Sequence, residues 1–180
     1  MLRSSSNYIF VNLLLIYLLP AVGCAQNIKP HPRCEQPAFD LKLEKLLNFS
    51  VNAISCRDLN RNLKMYYILD ARERSEFDVS HLPNARYIGY SSFDFLSIND
   101  IPKSAAIVVY CSVGYRSEKI GEKLIGAGYS NVNNLYGSIF EWVNEGYPVF
   151  DNLNKPVKKV HAYNADWGKW VTAKGYLKIY

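Results

Sequence analysis

The stretch that most constrains the fold is the continuous apolar run "AAIVVYC", residues 105–111. A strand that is apolar on both faces has to be covered on both faces, which is typical of the centre of a parallel sheet between helices. Shorter β-type runs occur in "MYYILD", "RYIGY" and "NVNNLYG". Helical patterns occur between them, as in "EKIGEKLIGAGY" and "GSIFEWVNEGYP". This alternation predicts an open α/β domain with its sites at the carboxyl ends of the strands.

Two helix starts can be predicted from capping residues. Ser55 is a plausible N-cap for a short helix, and a further helix is predicted in "FDLKLEKLLNF". Ser138 and Glu141 have capping-box spacing, and Gly146 with Pro148 predicts the end of that last helix.

The N-terminal 23 residues have the pattern of a signal peptide. Arg3 precedes an apolar core from Tyr8 to Leu19, which is followed by Pro20 and small residues. As a helix that core spans roughly 18 Å, less than the roughly 30 Å of a bilayer's hydrocarbon layer. "AVGC" resembles the bacterial lipobox, in which the cysteine, here Cys24, carries lipid.

We therefore expect an exported protein in the cell envelope, lipid-anchored to a bacterial membrane and facing the periplasm or the exterior. Simple cleavage near Cys24 is the alternative. The proline-rich residues 24–37 are interpreted as the tether, and residues 38–150 as the folded domain.

The charge of the chain is concentrated at its C-terminal end. Residues 151–180 contain six lysines against Asp151 and Asp166, whereas residues 24–150 are neutral. A neutral body argues against a nucleic-acid groove, which needs a basic face. The aromatics of this basic extension are expected to pack on the domain; alternatively, its lysines face an anionic membrane or a partner.

Cysteine usage leaves one structural question open. If Cys24 carries lipid and Cys111 is free, Cys34 and Cys56 are the remaining pair for a disulfide in an exported protein. Two unpaired thiols are the alternative.

Cys111 lies where an apolar strand ends and a helix pattern begins. The turn Ser112-Val113-Gly114-Tyr115 is expected to leave backbone N–H groups pointing inward, and Arg116 adds a positive charge. These groups stabilise an anion and lower the pKa of a thiol, so the context predicts a nucleophilic Cys111. Taken alone, a cysteine such as Cys111 is more often a buried structural residue, and it is the strand–Cys–loop–Arg–helix context that favours the nucleophile.

The segment from Val108 to Val149 resembles the active-site half of a rhodanese-like domain. That family has an apolar strand, a C-x-x-G-x-R loop, a helix, a short strand and a tryptophan-bearing helix, here "VVYCSVGYRSEKIGEKLIGAGYSNVNNLYGSIFEWVNEGYPV". "YYILDARERSEFDVSHLPNARYI" resembles the other half, which has a strand followed by Asp-x-Arg-Glu and Gly-His-Ile-Pro-Gly-Ala. The similarity spans residues 54–149 in the expected order.

This resemblance implies a three-layer αβα domain around a parallel sheet of about five strands. It also implies a single-domain sulfurtransferase in which Cys111 accepts sulfane sulfur from thiosulfate or a persulfide. A thiol or cyanide then takes the sulfur. The substrate-binding loop is Ser112, Val113, Gly114, Tyr115 and Arg116. The supporting residues are Asp70, Arg72 and Glu73, and His81 is structural.

Several residues depart from the family pattern. Ser138 and Asn84 replace glycines, which a serine cap and an asparagine can each tolerate, and Ser80 replaces the glycine before His81. Ser112 and Val113 bring no charge beside Cys111, and this puts thiosulfate as the physiological donor in doubt.

Two other functions are consistent with parts of the sequence. A cysteine-dependent phosphatase would need C-x5-R, whereas Cys111 to Arg116 is C-x4-R and closes a smaller ring. A non-catalytic rhodanese-like binding module would keep the fold without the chemistry. No metal-ligand spacing, phosphate-binding loop or dinucleotide fingerprint occurs, so no cofactor is expected.

Overall fold

The computed structural model describes residues 31–180, so the predicted signal peptide and Cys24 lie outside the described residues. Six α-helices occur in this part of the chain: α1 Pro37–Glu44, α2 Cys56–Arg61, α3 Arg74–Val79, α4 Tyr115–Gly126, α5 Ser138–Asn144 and α6 Ala165–Gly168. The strands are β1 Asn52–Ile54, β2 Tyr67–Asp70, β3 Arg86–Tyr87, β4 Ala106–Tyr110, β5 Asn131–Leu135, β6 Val149–Phe150, β7 Pro156–Val157, β8 Lys159–His161 and β9 Leu177–Ile179. Two short 3-10 helices lie at Leu63–Met65 and Phe95–Ile98.

The main sheet has five parallel strands in the order β1-β5-β4-β2-β3. This confirms the predicted α/β fold, with the run that includes β4 at the centre of the sheet. In the register of β2 and β4, Asp70 pairs with Tyr110, so both strands end at the same edge. The edge strand β1 has only three residues and begins with a polar Asn, so it carried no pattern from which it could be predicted.

Both faces of β4 are buried. Val108 and Tyr110 belong to one apolar cluster, with residues of α1, α2 and α5. Ile107 and Val109 belong to the other, with residues of α4. The sheet is therefore covered by helices on both sides, and the unbroken apolar run follows from that position.

Both predicted helices are present; one predicted cap is confirmed and the other is wrong. The Ser55 hydroxyl accepts a hydrogen bond from the backbone N–H of Asp58, at 3.0 Å. Gly137, and not Ser138, is the N-cap of α5, and no side chain caps this helix. Ser138 is already the first residue of the helix, and its hydroxyl donates to the Leu135 carbonyl, at 3.1 Å, and accepts from the backbone N–H of Cys111.

The described part of the predicted tether, residues 31–37, packs on the domain. The backbone N–H of Cys34 donates to the Asp40 carboxylate at 3.0 Å, and that of Glu35 donates to Glu141 at 2.6 Å. His31 stacks on Phe49 with 4.4 Å between ring centroids. Residues 31–37 are therefore docked on the domain, and the rest of the predicted tether lies outside the described residues.

The C-terminal extension also packs on the domain. β6 pairs with β7, and β8 pairs with β9. Trp170 stacks on Phe39 with 5.4 Å between centroids, and Val160, Ala162 and Val171 are buried. Ser80, which stands where the family has glycine, has a structural role: its buried hydroxyl donates to the Lys159 carbonyl at 2.7 Å and so contacts the extension.

Other predicted features can be placed directly. Asn84 adopts the left-handed conformation expected of it, with φ 58°. Cys34 and Cys56 are both buried free thiols in the structure. Within residues 31–180, no helix is long and apolar enough to span a membrane.

Candidate active site

Cys111 lies immediately after β4, at the carboxyl edge of the sheet, four residues before the first residue of α4. The turn between them depends on Gly114, which has φ 115° and is the N-cap of α4. A side chain disfavours this backbone conformation, whereas glycine adopts it freely. The turn brings the backbone N–H groups of Gly114 and Ser117, at the start of α4, close to the thiol.

The Cys111 sulfur is surrounded by groups that favour a thiolate. The backbone N–H of Gly114 donates to Sγ at 3.2 Å, and the Ser117 hydroxyl lies 3.5 Å from it. Burial by itself raises the pKa of this thiol, but the positive charge of Arg116 and these hydrogen bonds outweigh burial and hold the pKa below its usual value. An anion-stabilising role for the whole loop, Ser112 to Arg116, stays a prediction.

Ser117 and Asn134 fix the turn from the side of β5. The Ser117 hydroxyl lies 2.7 Å from the Asn134 side-chain oxygen, and the Asn134 amide donates to the Gly114 carbonyl at 2.9 Å. The Ser117 hydroxyl also lies 3.1 Å from the Gly114 carbonyl, and because it has one proton it donates to only one of Asn134, Gly114 and the sulfur at a time. Sequence reasoning did not identify either residue.

Arg116 is held by a carboxylate that sequence reasoning also missed. Its guanidinium donates to both oxygens of Glu76, at 2.6 and 2.8 Å. Ser112 completes the cluster: its hydroxyl lies 3.2 Å from Glu76 and 3.0 Å from Arg116. Burial raises the pKa of Glu76, but the hydrogen bonds and charge of Arg116 prevail and lower it to about 2.

The three predicted supporting residues have different positions. Asp70 and Arg72 form a fully buried ion pair, with 2.6 Å between Oδ2 and Nη2. Arg72 also donates to the Ser80 carbonyl at 2.7 Å, so the pair joins the end of β2 to the end of α3. Glu73 bonds to Ser91 at 2.8 Å and precedes α3. The carboxylate that contacts the Cys111 loop is therefore Glu76, one helical turn after Glu73.

The back of the loop is fixed by α5. The backbone N–H groups of Ile139 and Phe140 donate to the carbonyls of Cys111 and Ser112, both at 3.2 Å. The Ser138 hydroxyl accepts from the Cys111 N–H at 3.1 Å. Since these bonds hold the carbonyls toward α5, the loop keeps a fixed orientation beneath the thiol.

Cys111 opens into a cavity of about 140 Å³. Two of its walls, Tyr163 and Trp167, come from the C-terminal extension. The sequence predicts only that this basic extension packs on the domain or faces a partner, and not that it lines the site. The lining residues are Leu46, Cys111, Ser112, Val113, Tyr115, Arg116, Tyr163 and Trp167.

The other described thiols are less suited to act as nucleophiles. Burial, together with the nearby carboxylates, raises the pKa of both Cys34 and Cys56. His81 stacks on Phe77 with 4.1 Å between ring centroids, and its Nδ1 lies 3.3 Å from the Phe77 carbonyl. No group of three His, Cys, Asp or Glu side chains in residues 31–180 is arranged to hold a metal ion.

The arrangement is suited to nucleophilic chemistry on an anionic or polarised sulfur. A thiol with a lowered pKa faces a small cavity, and helix N–H groups and one guanidinium surround it. The same N–H groups can stabilise a second sulfur atom bound to Cys111.

Two proteins similar in sequence to this chain are named as sulfurtransferases. The chain is 29% identical over 102 residues to a sulfurtransferase of Allochromatium vinosum, a match that covers 55% of this chain and 94% of that protein. It is 29% identical over 116 residues to the adenylyltransferase and sulfurtransferase UBA4 of Candida albicans, covering 61% of this chain but only 26% of that protein. The chain thus spans about a quarter of the length of this longer relative.

A solved structure supports the fold. The BH2092 protein of Bacillus halodurans matches with a TM-score of 0.53 and 22% identity, over 64% of this chain and 85% of that one. The family model for the rhodanese-like domain matches residues 55–145, which include α2 to α5 and the whole Cys111 loop. This chain belongs to the rhodanese-like domain family.

Proposed function

We propose that this protein is a sulfurtransferase that carries sulfane sulfur on Cys111. The observation that carries the proposal is the environment of the Cys111 sulfur, which accepts a hydrogen bond from Gly114, lies near Arg116 and opens into a cavity. The name of the Allochromatium vinosum relative supports a role in sulfur transfer.

The proposed first step is a displacement at sulfur. The Cys111 thiolate attacks the outer sulfur of the donor and forms a new S–S bond. The bond between that sulfur and the rest of the donor breaks, and the leaving group takes the electron pair: sulfite from thiosulfate, or a thiolate from a persulfide. In the second step a thiol or cyanide takes the outer sulfur and regenerates the thiolate.

Mass spectrometry tests this step directly. The full-length protein is treated with thiosulfate or a low-molecular-weight persulfide, and the peptide that contains Cys111 is examined. We expect one added sulfur atom in the wild type and none in Cys111→Ser. Cys56→Ser is the matched control, since it removes a buried thiol of raised pKa and should still load. If the wild type gains no sulfur from any donor, the protein is a binding module and not an enzyme.

We further propose that the chain is exported and anchored through a lipid on Cys24, on the basis of its signal-peptide and lipobox-like sequence. Metabolic labelling with an alkyne fatty acid tests the anchor. Label is expected on the wild type and not on Cys24→Ala; a secreted, unlabelled wild type would contradict it.

A further inference from the structure

Tyr163 and Trp167 of the C-terminal extension form two walls of the cavity above Cys111. The family match ends at residue 145, so both side chains come from outside the matched domain. We call this pair the aromatic wall. With Leu46, Val113 and Tyr115, it makes the cavity predominantly apolar around a single reactive sulfur.

The aromatic wall is held in place by ordered contacts. The Asn164 side chain accepts from the Trp167 N–H at 3.0 Å, and Lys42 lies 5.4 Å from the Trp167 ring centroid. Within the same segment, Ala162 is fully buried. Trp167 therefore presents its ring from a fixed backbone.

Tyr163 is placed by a strained backbone. Its φ is 64°, a left-handed conformation that is uncommon for a residue with a side chain. The Tyr163 N–H donates to the His161 ring at 3.1 Å, which helps to hold this conformation. The ring centroid lies 5.4 Å from the Arg116 guanidinium, so the tyrosine covers the cation of the cavity.

The charge of the cavity is largely compensated. Among its lining residues, Arg116 alone carries a formal positive charge, and both of its hydrogen bonds to Glu76 are short. A dianion such as thiosulfate therefore meets little uncompensated positive charge and loses much of its hydration. An apolar group can be accommodated, since a cavity of roughly 150 Å³ can hold a benzene ring.

Building on the proposed function, we propose that the aromatic wall selects donors that carry sulfane sulfur on an apolar organic group with at most one negative charge. Organic persulfides and organic thiosulfonates share this chemistry. With a thiosulfonate, the Cys111 thiolate bonds to the outer sulfur, the bond between the two sulfur atoms breaks, and an organic sulfinate leaves with the electron pair. No oxidant or reductant is needed.

Three donors with the same reacting bond test the proposal on the full-length protein: thiosulfate, methanethiosulfonate and benzenethiosulfonate. We expect kcat/KM to be about tenfold higher for benzenethiosulfonate than for thiosulfate. Trp167→Ala should abolish most of this preference, and Trp167→Phe should keep it. Phe95→Ala is the control, because it removes an exposed aromatic that lies on another face and does not line this cavity. Equal kcat/KM values in the wild type, or a preference that survives Trp167→Ala, would overturn the proposal.

A second measurement separates this proposal from the proposed function. Alkylation of Cys111 by iodoacetamide is followed in the presence of benzenesulfinate or sulfite, neither of which donates sulfur. We expect benzenesulfinate to protect the wild type more strongly than sulfite, and to lose this advantage in Trp167→Ala. If no donor loads Cys111, the proposed sulfurtransferase fails, while protection still decides whether the aromatic wall selects apolar anions.

Discussion

The Arg116 guanidinium makes two hydrogen bonds to the Glu76 carboxylate, at 2.6 and 2.8 Å, while its positive charge also lowers the pKa of the Cys111 thiol. The Arg116 guanidinium therefore interacts both with the Glu76 carboxylate and with the thiolate form of Cys111. Glu76 fixes the position of Arg116 and reduces the charge available to the sulfur. The strength of the nucleophile and the stability of the loop are consequently coupled through this pair.

Glu76→Gln should destabilise the fold. Removal of the carboxylate charge leaves Arg116 without its partner in a largely buried position, which costs about 3 kcal/mol in the free energy of unfolding. The same change should lower the pKa of the Cys111 thiol further, because the charge of Arg116 is no longer shared. Urea denaturation measures the first effect and the pH dependence of alkylation the second. A stable variant with an unchanged thiol pKa would contradict the coupling.

The same residue predicts a response to acid. The pKa of Glu76 is lowered from 4.5 to about 2 in the folded protein. A lowered pKa means that the folded state favours the carboxylate, so this stabilisation is complete above pH 4.5 and is lost as the pH falls toward 2. We expect the free energy of unfolding to fall in this range more steeply for the wild type than for Glu76→Gln. Equal slopes would show that Glu76 contributes nothing to acid unfolding.

Arg116→Gln should raise the pKa of the Cys111 thiol. Burial alone favours the neutral thiol, and Arg116 provides the charge that opposes burial. At pH values below the pKa of the wild-type thiol, its loss should slow alkylation of Cys111 by iodoacetamide by about tenfold, which corresponds to a pKa increase of roughly one unit. Peptide mass spectrometry over a pH series measures the rate. Arg86→Gln, which breaks an exposed pair with Asp100, is the control and should leave the rate unchanged.

Residues that act within one turn of chain could be predicted from the sequence, and residues that act across the fold could not. Cys111, Gly114 and Arg116 lie in one loop, so their spacing is visible directly. Glu76 lies 40 residues before Arg116 and looks like any glutamate in a short helix. Its role depends on the parallel register, which brings the end of β2 beside the end of β4.

The aromatic wall was missed for a related reason. Residues 151–180 show no long strand or helix pattern, because their elements have two to four residues each. The position of the aromatic wall over Cys111 depends on contacts between distant parts of the chain, such as the stacking of Trp170 on Phe39. No local sequence pattern predicts such contacts. For Ser138 the local signal predicts a cap, but the N-cap lies one residue earlier, at Gly137, and the Ser138 hydroxyl accepts from the Cys111 N–H, a contact across the fold that no local pattern shows.

Two substitutions at Ser138 separate its hydroxyl from its backbone. The residue has φ 52°, where a side chain costs roughly 1 kcal/mol relative to glycine. Ser138→Ala loses the hydrogen bonds to Cys111 and Leu135 and keeps this strain, whereas Ser138→Gly loses the same bonds and relieves the strain. Urea denaturation should therefore find the glycine variant about 1 kcal/mol more stable than the alanine variant. An alanine variant as stable as the glycine variant would argue against backbone strain.

Two glycines of α4 provide a matched test of packing behind the site. A Cβ at Gly121 would lie 2.9 Å from Val51, in the segment before β1, whereas a Cβ at Gly126 meets no atom within 4 Å. Gly121→Ala should therefore lower the free energy of unfolding by about 2 kcal/mol through overpacking. Gly126→Ala should raise it by about 0.5 kcal/mol, because alanine restricts the unfolded chain. Thermal and urea unfolding measure both changes. If Gly121→Ala were as stable as Gly126→Ala, the close approach of α4 to Val51 would not hold in solution.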